Sequence, residues 1–237
     1  MTDYAALEER LTQTLTLTRR PVAIAFRDQA PASVTKFTGT QPSGCSFWKL
    51  AADGRVFYTV PSDHYNCPIG SYTHNIPLPP EREHELRQTL SLMGELGYVS
   101  MDEVPRIPRL KTPPTVIVYA ALGQTPVDPD AVIVTGMPGG LMLLHEAAAR
   151  SNVTVNPMLG RPTCMAIPAA MGQALTSSYG CIGNRVYTDL PASELYSVIS
   201  GADVANITNE LETIVRANAA LRDYHTGKIA SLRVVGQ

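Results

Sequence analysis

The sequence predicts an α/β fold: a single compact domain in which a strand–cysteine loop–helix unit is duplicated about an internal pseudo-twofold axis. Three observations lead there. Thr115-Val116-Ile117-Val118-Tyr119 and Ala131-Val132-Ile133-Val134 are continuous β-branched runs of the kind found in strands buried on both faces. Leucines at helical spacing, beginning with Leu7, Leu11 and Leu15, mark amphipathic helices around those runs. The four cysteines fall in two pairs, Cys45 with Cys67 and Cys164 with Cys181, and their surroundings match. At 237 residues, 44% hydrophobic and 17% charged, the chain has ample material for a core and none of the signature of disorder.

Taken in order, Tyr4 to Leu17 reads as a helix stopped by Arg20-Pro21, and Val22 to Phe26 as a short strand. Ser46 to Ala52 reads as helical turns closed by Asp53-Gly54, and Val56 to Val60 as a strand ending at Pro61. Pro79-Pro80 opens a helix whose stripe is Leu86, Leu90, Met93 and Leu96, with Gly97 its stop. Asp102 to Pro114, with Pro105, Pro108, Pro113 and Pro114, is the connector between an N-terminal half, residues 1–104, and a C-terminal half, residues 105–237. Beyond the two β-branched runs, Leu141 to Arg150 is predicted helical and Val153 to Val155 extended. Ala166 to Leu175 and Pro191 to Ile199 are predicted as helices, the latter capped by Asp189. Ile207, Leu211, Ile214, Val215 and Leu221 mark a long helix ending near Gly227, and Ile229 to Val235 closes as a strand.

Composition excludes several function classes. A net charge of -2 leaves no basic footprint, so neither nucleic acid nor a membrane is an expected partner. No apolar run approaches the roughly 18–20 residues of a membrane span. Met1-Thr2-Asp3-Tyr4 lacks the basic-then-apolar start of a signal peptide, which makes the cytoplasm the expected compartment. Neither G-x-S-x-G, H-E-x-x-H nor a paired-carboxylate motif occurs, so hydrolase chemistry has no support.

The cysteines carry the functional signal. Cys45 and Cys67 stand in a C-x21-C pair and Cys164 and Cys181 in a C-x16-C pair. Each pair opens after a proline, at Pro42 or Pro162, and closes in a Tyr-x-Cys motif followed by Ile-Gly, at Tyr65 to Gly70 or Tyr179 to Gly183. Glycine and proline build loops, where functional residues concentrate. Four readings stand side by side: buried apolar thiols, disulfides, a zinc site, and an iron–sulfur cluster. Disulfides are rare in the cytoplasm, and zinc knuckles space their cysteines far more closely. A cubane is larger than one ion and can be embraced by separate loops, with glycine-rich turns donating N–H groups to its sulfides. The leading expectation is a [4Fe-4S] cluster on Cys45, Cys67, Cys164 and Cys181 with a redox or cluster-dependent catalytic role. The alternative is a metal-free or zinc-containing protein that binds a small anion.

These motifs resemble a known family. Pro21-Val22-Ala23-Ile24, Gly44-Cys45-Ser46-Phe47-Trp48, Asn66-Cys67-Pro68-Ile69-Gly70, Gly160-Arg161-Pro162-Thr163-Cys164 and Gly180-Cys181-Ile182-Gly183-Asn184-Arg185 are similar to those of the uncharacterised ArCR (archaeal cysteine-rich) proteins, domain-of-unknown-function family 169. The resemblance runs from about residue 10 to 225. It implies metal or cluster binding through the cysteines and transfers no established activity.

Further candidates surround the motifs. Gly70, Gly139, Gly140 and Gly183 are expected N–H donors to a cofactor or anion, and Arg185 an anion partner. The Gly136-Met137-Pro138-Gly139-Gly140 sequence reads first as a tight turn with glycines for close packing. His64 and His74 flank Cys67 and offer acid–base chemistry or ligation, whereas His145 reads as a half-buried helix residue. Tyr65 and Tyr179 occupy equivalent motif positions, and Trp48 either shields the site or packs in the core. The expected partners are a small-molecule anion or a redox partner, together with further copies of the chain in a homo-oligomer.

Overall fold

Among the described residues the chain is organised around one mixed sheet of seven strands, most of them buried along nearly their whole length. In a computed structural model, which describes residues 2–157, 161–172 and 174–234, the strands are β1 (Val22–Arg27), β2 (Phe57–Thr59), β3 (Val116–Ala121), β4 (Ala131–Gly136), β5 (Thr154–Pro157), β6 (Ala174–Ser178) and β7 (Leu195–Ser200). Their order is β2-β3-β1-β4-β7-β6-β5. All neighbours are antiparallel except β5 and β6. The two β-branched runs become β3 and β4, buried along their whole length as predicted.

Because successive side chains point to opposite faces, the sheet carries two cores. On one face Ala23, Val132, Val134, Leu175 and Ile199 meet α1 (Tyr4–Leu15), α5 (Pro138–Arg150) and α8 (Val204–Val234) through Leu7, Leu11, Leu15, Leu141, Leu144, Ile207 and Leu211. On the other, Val22, Ile24, Ile117, Tyr119, Ile133 and Val198 meet α2 (Cys45–Ala52) and α6 (Ala166–Ala170) through Phe47, Trp48 and Ile167. The same side holds α3 (Pro68–Thr73), α4 (Pro80–Glu95) and α7 (Ile182–Thr188). α1 starts where the Asp3 carboxylate accepts the Ala6 N–H at 3.0 Å, an N-cap. Its leucines are buried at their predicted spacing.

The structure corrects four predicted elements. The helix predicted over Ala166 to Leu175 ends at Ala170, and Ala174 to Ser178 is strand β6. Pro191 to Ile199 is not a helix, because Leu195 to Ser200 fills the slot between β4 and β6 as β7. Short apolar runs do not announce their period, so the vacancy in the sheet decides. Asp189 accordingly ends α7 in a left-handed conformation, φ 51°, instead of opening a helix. Residues 229–234 continue α8 through Gly227, and Val235 lies outside the described residues. One exposed helical glycine costs only about 1 kcal/mol, too little to end a helix flanked by good formers. The proposed duplication does not reappear in the sheet order, since β3 lies between β2 and β1.

Candidate functional site

Each cysteine begins a helix. Cys45 is the first residue of α2, and Cys67 is the N-cap of α3, where Pro68 suits the first helical position. Cys164 lies in the 3-10 turn Thr163–Met165 that runs into α6, and Cys181 is the N-cap of α7, its N–H donating to Thr163 Oγ1 at 2.6 Å. All four side chains line one cavity of about 300 Å³. The opposite wall comes from α4 and the stretch after it: Leu90, Met93, Tyr98, Val99, Val104 and Ile107. The proline-rich segment expected to be a mere connector therefore contributes to the site.

The sulfurs experience different surroundings. Burial pushes the Cys45 thiol well above its ordinary value, the neighbouring thiols add to that, and the Asn184 amide opposes it. Burial likewise pushes up Cys164, against which Thr73 works weakly. Cys67 is raised by burial too, but backbone N–H groups of Gly44 and Gly70 lean on its sulfur and favour the thiolate. Gly70 has to be glycine here, since a Cβ at this position would come within 2.8 Å of Cys67 Sγ. At neutral pH Cys45, Cys67 and Cys164 are therefore protonated, free thiols.

This corrects the expected iron–sulfur function, and with it the zinc alternative. Among the described residues no group of three or more His, Cys, Asp or Glu side chains is gathered so that it could hold a metal ion. The cysteines do converge, but as the wall of a cavity, each on its own helix start.

The other candidates separate. Gly70 and Gly183 line the cavity. Gly139 and Gly140 do not: they open α5 on the far face of the sheet, where a Cβ on Gly140 would meet the Leu15 carbonyl oxygen at 2.9 Å. The turn is glycine for helix packing. Arg185 is also turned away, donating to the carbonyls of Pro191 (3.0 Å) and Glu194 (3.1 Å). His64 and His74 are buried beside Phe47, Tyr119 and Phe26 and lie outside the cavity lining. Burial, with the charge of His74, pulls His64 down to about 3, and its Nε2 lies 2.8 Å from Thr59 Oγ1. Burial lowers His74 as well, and its Nδ1 is paired to the Gly70 carbonyl at 2.8 Å. Trp48 packs edge-on against Tyr196 in the core. Tyr65 packs beside that core while Tyr179 is 53% exposed on the opposite face, so the motif tyrosines are not equivalent. Gly160 lies outside the described residues.

Two site residues carried no functional assignment in the sequence. Arg161 lies against the cavity with its guanidinium over the Tyr98 ring, 4.3 Å from the centroid, and 4.0 Å from Glu103. Asn184 is 2% exposed, lines the cavity beside Cys45 and Tyr196, and neither of its amide atoms makes a hydrogen bond of full geometry. Both stand inside cysteine motifs, three residues from a cysteine, and that adjacency was the available signal.

No curated protein and no solved structure matches this chain. A family model does, over residues 10–210, and the chain belongs to the uncharacterised ArCR family, DUF169.

Proposed function

We propose that this protein binds a small, largely apolar molecule bearing one anionic group in the thiol-lined cavity, as a ligand-binding or regulatory protein. One observation carries the reading: a buried amide without full partners, Asn184, and a guanidinium, Arg161, line the same largely apolar cavity. Buried polar groups need partners, and a ligand oxygen or N–H at Asn184 provides one. Arg161 offers a planar fork that suits a carboxylate, and its contact with Glu103, at 4.0 Å, leaves donors free for it. The protonated thiols and Met93 supply a soft, polarisable wall.

Admission of the ligand involves the cover. α4 has no fully buried side chain, and the cover is tied down by polar contacts: Arg82 to Asn66 Oδ1 (3.0 Å), the Tyr72 hydroxyl to the Val104 carbonyl (3.2 Å), and Arg161 to Tyr98 and Glu103. A segment held this way opens at low cost. An incoming carboxylate exchanges for Glu103 at Arg161, which couples binding to movement of the cover.

Octanoate and 3-phenylpropionate are suitable probes, with 1-octanol as the uncharged control. Both carboxylates are expected to raise the melting temperature in proportion to log concentration above Kd, octanol less so. Arg161→Ala abolishes the advantage of the carboxylate over the alcohol. If neither carboxylate raises the melting temperature, or Arg161→Ala responds like the parent, the reading is wrong.

A further inference from the structure

The face of the sheet away from the thiol cavity carries a helix without a groove and a groove without a helix. From residue 219 to 232 every residue of α8 is exposed, a stretch of about 21 Å. A helical segment this short is marginal in water without packing. It nonetheless presents Leu221, Tyr224, Ile229 and Leu232, 54–64% exposed, on one stripe at i, i+3, i+8 and i+11. The stripe prolongs the line of Ile207, Leu211 and Ile214, by which the first half of the same helix packs into the core. The apolar pattern continues past the point where the domain ends.

The groove lies on the far flank of α5, over the end of the sheet formed by β5 and β6. Its volume is about 570 Å³, it is open to solvent, and it is walled by Leu141, Met142, Ala149, Val155, Tyr179 and Leu195. Its polar floor is satisfied internally. His145 Nε2 lies 2.7 Å from Ser177 Oγ and 3.0 Å from Ser197 Oγ, and the two hydroxyls are 3.1 Å apart. The one carboxylate on its wall, Glu146, accepts from Asn218 Nδ2 at 2.6 Å, so the remaining surface of the groove suits an apolar helix face. α1, α8 and α5 already form a helical layer on this face, and the groove lies beside α5 at the end of that layer, where one further helix would extend it.

We propose that two copies of the chain pair about a two-fold axis, the exposed half of α8 of each lying in the groove beside α5 of the other. A two-fold contact needs self-complementary surface, and one chain supplies both elements. The area is adequate for a specific contact: with roughly 100 Å² exposed on each of the four stripe side chains, the smaller mouth of the groove added, and two such contacts, the buried surface is on the order of 1,000 Å², the lower end of specific interfaces. The inference is independent of the ligand proposed for the thiol cavity, which lies on the other face.

The test uses the full chain. Light scattering on an eluting peak is expected to give a dimer at micromolar concentration. Leu221→Glu on the helix and Met142→Arg in the groove, both at exposed positions, are each expected to give monomer with an unchanged far-ultraviolet spectrum. A benzoylphenylalanine photo-crosslinker in place of Tyr224 is expected to join the partner copy within residues 138–150 or at Tyr179. A monomeric parent, a dimer indifferent to Met142→Arg, or a crosslink from α8 to α8 would each overturn the arrangement.

Discussion

The two faces of the sheet are closed by different means. On one, α1, α5 and the first half of α8 lay continuous apolar stripes against β4, β6 and β7, with Leu11, Leu144 and Ile207 fully buried. On the other, four short helices each begin at a cysteine, and the cavity they leave is covered by α4, which buries no side chain fully. Both faces carry a close-packed apolar core, and the cysteine face adds to its core a cavity under a loosely held cover.

Truncation of a single leucine separates the core from the cover most strongly. Leu144→Ala is expected to cost about 2–5 kcal/mol in urea denaturation, whereas Leu90→Ala in the half-buried cover costs under about 1 kcal/mol. Equal losses would mean that the cover is core. Next in size, Gly140→Ala forces a Cβ against the Leu15 carbonyl and is expected to cost about 1–3 kcal/mol without affecting octanoate binding. Gly70→Ala displaces the Cys67 sulfur instead and is expected to weaken that binding.

A pH titration sharpens the contrast further. His64 is held neutral in the fold, at about 3, against an ordinary value near 6.5, so below about 6.5 the unfolded chain binds a proton the native one refuses. Its contribution is fully present above that pH and falls as pH drops towards 3, by up to about 1.4 kcal/mol per pH unit. His74 shifts in the same direction. Urea midpoints measured from pH 7 to 4.5 should therefore fall, and His64→Gln should flatten the slope. The smallest stability effect is expected at Arg161→Ala: within about 0.5 kcal/mol in denaturation, because the side chain is partly exposed, but a clear loss of carboxylate affinity.

Legibility followed the same division. Leu7, Leu11 and Leu15 announced α1, and the β-branched runs announced β3 and β4, because period and burial are written locally in residue type. β7 reads as helix in the sequence and β6 is missed beyond Leu175, because five or six residues hold no decisive period and the place between neighbouring strands makes the choice. The stripe predicted on α4 was misleading in a different way. Leu90 and Met93 do face inwards, but onto a cavity, while Leu96 is 72% exposed. The four cysteines, Gly70 and Gly183 line the cavity and are marked in the sequence by the repeated loop motif, but as parts of a metal centre that the described residues do not gather. Arg161 and Asn184 were written beside them without a role, because an unpartnered amide or a guanidinium facing a cavity is a property of surroundings that come from distant segments.

By itself the sequence determined the α/β class, the amphipathic helices, the family and the convergence of four cysteines on one place. These depend on residue type at short spacing, which the chain states outright. Only the tertiary structure decided what that place is. The backbone brings the cysteines in on four separate helix starts, around a cavity closed by a segment some twenty to sixty residues from the first pair, so they line a cavity in place of the metal centre their pattern suggested. Burial and distance, which set both thiol ionisation and ligand geometry, are properties of the assembled fold.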